Sequence, residues 1–383
     1  MRIVHTADWH LGKMFYGDYL TEDQSHILHT QFLPLLKEEK IDAVVLSGDV
    51  YDRSLPPADA VTLFDDIATA VTKEMGIPFF VISGNHDSAT RLSFGSRILA
   101  REGLYIEGEL EKLRGPVIVD DAYGPVAFVL VPYAEPAAVR HLTDKGDIKD
   151  HEEALQALFS IQAKGTEHMR TICVAHAFVG GGVTSDSERP LSIGGTELVE
   201  SNLFSPFTYT ALGHLHGPQQ IESERIRYAG SLMKYSFSEA RQKKGVTIVD
   251  IDGKGEITTD FISFTPRHDL RILTGSFASI LERHDDRPHD FILARIDDRE
   301  PILDGMARLR QKYPHALALE APNRQSSLSH EKRSFNLHEA TEQQLFEGFS
   351  KAMRPEQSLT EGERDLLKEL WNELLRREGE GLL

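Results

Sequence analysis

The sequence predicts an α/β domain over residues 1–265, a small α+β domain over 266–322, a linker over 323–336 and a helical segment over 337–383. Three observations carry this reading. Short apolar, often β-branched runs alternate with stretches of helical period through the first 265 residues. The pattern changes near Thr265-Pro266. A polar, Ser-rich stretch (Arg324-Gln325-Ser326-Ser327-Leu328-Ser329) then precedes two amphipathic patterns.

Ile3-Val4 begins the first strand. Ala43-Val44-Val45-Leu46, Phe79-Phe80-Val81-Ile82, residues 126–131, Ile172-Cys173-Val174-Ala175 and residues 209–212 supply further ones. Their unbroken apolar character predicts strands covered on both faces. Residues 57–75 place Ala60, Val61, Phe64, Ile67, Ala68 and Val71 at helical spacing. Residues 250–259 read as a hairpin turning at Asp252-Gly253. In the small domain, Phe291–Ile296 and residues 316–319 read as strands separated by a helix over 302–312. Beyond the linker, Leu345, Phe346, Phe349 and Met353 mark one amphipathic helix. Leu366, Leu367, Leu370, Trp371, Leu374 and Leu375 mark a second, opened by Thr360-Glu361-Gly362-Glu363 as a capping box.

The 383 residues are 40% hydrophobic, enough for two or three cores. No apolar run approaches the roughly 18–20 residues of a membrane-spanning helix. The start, Met1-Arg2-Ile3-Val4-His5, lacks the apolar centre of a signal peptide, and a lone Cys173 cannot pair internally. Together these features predict a reducing cytoplasm. The net charge of −18 is the opposite of a simple phosphate-neutralising surface. A nucleic-acid enzyme of this composition needs metals, local basic patches or a partner.

The chemistry is concentrated where the apolar runs end. These ends read Asp8-Trp9-His10, Gly48-Asp49-Val50-Tyr51-Asp52-Arg53, Gly84-Asn85-His86-Asp87, His176, and Gly213-His214-Leu215-His216. In an α/β sheet the carboxyl ends of the strands form the ligand-binding edge. Residues two apart in extended chain point the same way, so Asp8 with His10, and His214 with His216, can each serve one metal or straddle two. Carboxylate, amide and imidazole donors without thiolates suit Mn²⁺, Fe²⁺ or Zn²⁺ and argue against a structural zinc. One Asp-x-His alone is uninformative; five such ends in order are not. His26, His29, His141, His151 and His168 fall in helical or loop patterns and read as surface residues.

In this order, the motifs resemble the calcineurin-like binuclear metallophosphoesterases. His5-Thr6-Ala7-Asp8-Trp9-His10-Leu11-Gly12, Ser185-Asp186-Ser187-Glu188-Arg189, Leu212-Gly213-His214-Leu215-His216 and Tyr235-Ser236-Phe237-Ser238-Glu239-Ala240 resemble the SbcD family of bacterial nuclease subunits more closely. Ser54 and Asp87 stand where protein phosphatases of the superfamily carry Gly and Glu. The resemblance implies an αββα sandwich with a small α+β capping domain and C-terminal helices. It implies one metal on Asp8, His10, Asp49 and His216, and another on Asp49, Asn85, His176 and His214, with Asp49 shared and Mn²⁺ the expected ion. His86 would act on the leaving oxygen or the transition state, oriented by Asp52. The implied activity is a DNA nuclease, 3′-to-5′ on duplex ends and endonucleolytic on single strands and hairpins. It would serve DNA replication, recombination and end processing. Its implied partners are an SbcC-type ATPase, gripped through the C-terminal helices, and a second copy of the chain, with the 57–75 helix as a candidate dimer face whose apolar side reads equally well as core.

Two other readings compete. A phosphomonoesterase or cyclic-nucleotide phosphodiesterase fits the same motifs, because fold does not decide substrate. A non-catalytic scaffold would not need the full donor set with His86. Lys13, Arg53 and Arg91 are candidate phosphate contacts by sequence proximity, whereas Arg241, Lys243 and Lys244 read as a solvated basic cluster.

Overall fold

The structure is a computed structural model that describes residues 1–144, 146–188, 198–298, 300–322, 360–363, 366 and 370. The proposed linker and nearly all of the helical segment after it lie outside the described residues. The principal strands, in chain order, are β1 (Arg2–Thr6), β2 (Ala43–Ser47), β3 (Phe79–Ile82), β4 (Leu104–Glu107), β5 (Val117–Asp121), β6 (Gly124–Val131), β7 (Arg170–His176), β8 (Tyr209–Gly213), β9 (Gln219–Ile221), β10 (Ser223–Tyr228), β11 (Gly245–Ile251), β12 (Ile257–Ser263), β13 (Leu270–Gly275), β14 (Phe291–Ile296) and β15 (Ala316–Glu320).

Two six-stranded sheets hold the first twelve. One has the order β12-β11-β1-β2-β3-β4 and the other β9-β10-β8-β7-β6-β5. The centre of each is parallel; antiparallel strands close both edges of the second sheet and the β11–β12 side of the first, whose other edge, β4, is parallel to β3. Side chains alternate across each strand, and both faces are apolar. Val4, Val44, Leu46, Phe79 and Val81 face the helical run 21–38 and the helix α1 (Ala58–Thr69). Ile3, Ala43, Val45, Phe80 and Ile82 face the second sheet, meeting Phe128, Leu130, Ile172, Val174 and Tyr209. Phe80 stacks on Phe128 with centroids 3.8 Å apart. The far face of the second sheet (Val129, Cys173, Ala175, Leu212) packs on α2 (His151–Gln162) through Leu155, Leu158 and Phe159. The result is a four-layer αββα sandwich.

Several elements differ from the sequence reading. The hairpin is longer, pairing β11 with β12, and its turn runs from Asp252 to Glu256, with Gly255 rather than Gly253 in the left-handed region. The apolar stripe of α1 (Ala60, Leu63, Phe64, Ile67, Ala68) is buried in the core; Val61 points outward. That stripe is therefore not a free dimer face.

By internal packing the chain divides into one compact unit of Met1–Leu273, Arg283–Ala294 and Asp304–Ala318, and a second of Thr274–Glu282, Arg295–Leu303 and Leu319–Leu383. The strands β13, β14 and β15 form a three-stranded sheet in that order. In the first unit, Arg271 pairs with Asp285 at 3.0 Å and Asp290 at 2.7 Å. In the second, Arg295 pairs with Glu320 at 3.0 Å. The capping box forms as expected: the Glu363 N–H donates to Thr360 Oγ1 at 3.3 Å, and the Thr360 N–H to Glu363 Oε2 at 2.8 Å. Among the described residues no helix is long and apolar enough to cross a membrane.

Candidate metal centre

The site forms where β1, β2, β3, β7 and β8 end on one edge of the sandwich. Backbone hydrogen bonds extend the ladder beyond the strands. The Asp8 N–H donates to the Gly48 carbonyl at 3.1 Å, His10 to Asp49 at 2.9 Å and Leu11 to Val50 at 2.9 Å. The sheets converge here: Ser47 Oγ on β2 donates to the Ala211 carbonyl on β8 at 3.0 Å. Gly48 is required by both space and conformation. Its φ is +88°, and a Cβ there would stand 2.4 Å from His176 Nδ1.

Three interlocking groups place one ligand atom from each member within 4.8 Å of the others: Asp8, His10 and His216; His10, Asp49 and His86; Asp8, Asp49 and His176. All of these residues are buried. Asp49 is central, with its Oδ2 3.6 Å from His10 Nε2, 3.6 Å from His176 Nε2 and 3.9 Å from His86 Nε2. Asn85 joins through its Oδ1, 2.9 Å from His176 Nε2. His214 belongs to none of the three groups; its ring stands edge-on to that of His176, with centroids 5.3 Å apart. Its backbone N–H donates to the Asp8 carboxylate at 3.0 Å.

The donor set fits a cation. His176 Nδ1 sits 2.9 Å from the Ser47 carbonyl, which only accepts, so Nδ1 carries the proton and Nε2 keeps its lone pair. That lone pair faces the Asn85 and Asp49 oxygens. His10 Nε2 and His216 Nε2 meet at 3.0 Å, nitrogen to nitrogen. Two buried ring nitrogens at this distance share either a proton or a cation. Burial, and then the neighbouring His216, hold His10 well below the ordinary imidazole range. Burial and then His176 do the same for His214, and burial lowers His176 against the pull of Asp49. These rings are neutral at physiological pH, as metal ligation requires. Burial, then the adjacent Asp49 carboxylate, raise Asp8 well above the usual range. A cation would relieve that repulsion.

His86 is fixed at both ends. Its N–H donates to Asp49 Oδ1 at 2.8 Å, and its Nδ1 reaches the Asp52 backbone carbonyl at 2.8 Å. Asp52 thus orients His86 through its main chain. Its carboxylate turns instead to Lys13 Nζ at 2.8 Å and to His10 Nδ1 at 3.7 Å. Lys13 is therefore engaged within the site, while Arg53 and Arg91 are exposed.

Three further residues have roles here that the sequence did not assign to them. Asp87 accepts the N–H groups of Val50 (3.1 Å), Tyr51 (2.9 Å) and Gly84 (2.9 Å), tying the second motif loop to the third. Burial and then Asp49 raise it to about 7 against those three donors. Glu239 is fully buried, and Lys244, expected on a solvated face, is buried against it at 2.6 Å. No sequence pattern distinguishes such a lysine from a surface one.

Residues 1–218 match the family model of calcineurin-like phosphoesterases, and residues 266–354 match that of the type 5 capsule protein repressor C-terminal domain. The SbcD component of the SbcCD nuclease from Staphylococcus saprophyticus is 38% identical over 322 residues, spanning 83% of this chain and 84% of its own. Its counterpart from Staphylococcus epidermidis is 34% identical over 384 residues, spanning 99% of this chain and 100% of its own. The chain belongs to the SbcD family. The resemblance read from the five strand-end motifs is thereby borne out, and the αββα fold with it.

Proposed function

We propose that this chain is a metal-dependent phosphodiester hydrolase that cuts DNA at a two-metal centre, working with an SbcC-type ATPase. The observation that carries the site assignment is the interlocking of three buried donor groups around Asp8, His10 and Asp49. Asp8, His10, Asp49 and His216 would hold one divalent ion, and Asp49, Asn85, His176 and His214 the other. The nitrogen and oxygen donors suit Mn²⁺. Such ions supply positive charge against the charge that develops on the phosphate, and acidify water to a nucleophile.

The chain's own residues do the rest. The Asp49 carboxylate is anchored by the His86 N–H and stays aimed between His10 and His176. His86, held at Nδ1 by the Asp52 carbonyl, presents Nε2 to deliver a proton to the leaving oxygen. Lys13 neutralises Asp52 beside it. The acidic surface leaves much of the DNA grip to the partner ATPase, which the C-terminal helices are proposed to hold. A homodimer is proposed as well, and the outward Val61 of α1 is available to it. The setting proposed for this work is the cytoplasm, in replication and recombination.

The test is a purified chain on labelled hairpin DNA, with Mn²⁺ and with EDTA, beside His86→Ala. Mn²⁺-dependent cutting lost in His86→Ala supports the proposal. Absence of cutting even with the ATPase present, alongside rapid turnover of a small aryl phosphodiester, would transfer the site to small-molecule substrates.

A further inference from the structure

Two motifs remain outside the donor set: residues 185–188 and residues 235–240. The structure brings them together behind His216. Ser187 Oγ lies 2.6 Å from His216 Nδ1 and also hydrogen-bonds Glu239 Oε1. A carboxylate oxygen only accepts, so the hydroxyl proton points to Glu239 and the hydroxyl oxygen accepts the proton of Nδ1. This direction leaves the Nε2 lone pair facing His10 Nε2, 3.0 Å away.

The support reaches further back. Glu239 Oε2 pairs with Lys244 Nζ at 2.6 Å, and Ser236 Oγ donates to Glu239 Oε1 at 2.9 Å. Lys244 also donates to the His216 carbonyl at 2.6 Å and to Ser231 Oγ at 2.9 Å. Glu188 Oε1 accepts the His216 N–H at 2.7 Å. Ring, amide and carbonyl of one residue are thus each held by a different side chain. A buried ion pair adds little to stability by itself, so orienting His216 is the more economical account of this arrangement.

Resting on the two-metal reading above, we infer that Ser187, Glu239 and Lys244 form a positioning relay that sets the tautomer and ring orientation of His216. They are positioning residues rather than catalytic ones. The relay also ties the 185–188 loop to the metal centre, because the loop supplies the hydroxyl between ring and carboxylate.

The test is Mn²⁺ calorimetry on the EDTA-stripped full chain, comparing wild type with Ser187→Ala, Ser187→Thr and Glu239→Gln. Ser187→Ala should weaken one of two bound equivalents by about 10–100-fold and leave the other within about threefold. Ser187→Thr, which keeps the hydroxyl, should recover most of the loss, and Glu239→Gln should weaken the same equivalent. Unchanged affinities in Ser187→Ala overturn the relay. So does an equal loss at both equivalents accompanied by a lower melting temperature of the metal-free chain, which would mark a purely structural role. Should Glu239→Gln fail to fold, the two Ser187 variants decide alone. Wild type binding fewer than two ions defeats the two-metal reading itself, a result distinct from any of these.

Discussion

Removing the Asp87 carboxylate tests how the centre is held before any metal binds. Its Oδ2 accepts from Val50 and Gly84, and its Oδ1 from Tyr51. Asp87→Ala leaves three amide donors behind two motif loops without that partner. Each buried, unsatisfied amide costs about 1–3 kcal/mol. Two effects reduce the sum. Asp87 is half-buried, so water can reach part of the gap, and the variant relieves repulsion with Asp49. The expected net loss is about 2–4 kcal/mol. Asp87→Asn keeps one carbonyl oxygen, which can retain the Val50 and Gly84 donors and loses only Tyr51, so it should cost about 1–2 kcal/mol. Urea unfolding of the EDTA-treated chain reads this out. Trp9 is buried beside the site, and the second tryptophan is Trp371; a Trp371→Phe background makes the fluorescence report Trp9 alone. Asp87→Ala within about 0.5 kcal/mol of wild type, or Asp87→Asn as damaging as Asp87→Ala, would refute the bracing argument.

Three other expectations follow from single contacts. Gly213→Ala would set a Cβ 1.8 Å from the Ser47 carbonyl oxygen, backbone against side chain with no flexible group to yield; a chain that folds with unchanged melting temperature would contradict the convergence of the two sheets. Cys173 is fully buried, and burial alone pushes its thiol well above the usual range, so a thiol reagent should label it only on unfolding, and rapid labelling of the native chain would count against the second-sheet packing. Asp121 is held below the ordinary carboxylate range chiefly by the Arg170 guanidinium at 2.6 Å. Its contribution is present above the unfolded carboxylate pKa of about 4 and is lost as pH falls toward its own lower value; Asp121→Asn should therefore be less stable than wild type at pH 7, with the difference shrinking below about pH 4, and a constant difference would show that the pair does not titrate.

What was legible in the sequence has a physical pattern. The central strands were legible because both their faces are buried, which forces unbroken apolar runs such as Phe79–Ile82. The candidate donors stand out because Asp8, Asp49, Asn85 and His214 are polar at the ends of those runs, where a core would continue apolar. The strands Val117–Asp121 and Ser223–Tyr228 were missed, because each has exposed positions and charged residues, paired at the end of the first and interleaved along the second, that resemble loop. Backbone roles were invisible in principle: the Asp52 carbonyl that orients His86 would be a carbonyl in any residue. Lys244 was misread because burial of a lysine depends on Glu239 arriving from a separate segment.

The backbone at this centre is itself unusual. Asp8, His10, Asp49 and His214 have φ of 50°, 46°, 49° and 107°. Left-handed conformations in residues with side chains cost on the order of 1–3 kcal/mol each. Glycine would relieve that strain, as it does at Gly48, but at these four positions it would delete the donor atom. The strain is therefore inseparable from the chemistry, and hydrogen bonds must offset it. They do so between neighbouring loops: the Asp8 N–H to Gly48, the His10 N–H to Asp49, the Val50 and Tyr51 N–H groups to the Asp87 carboxylate of the third loop, and the His214 N–H to the Asp8 carboxylate. All of these bonds lie within the chain, an internal support that small metallo-domains folding only on metal binding lack.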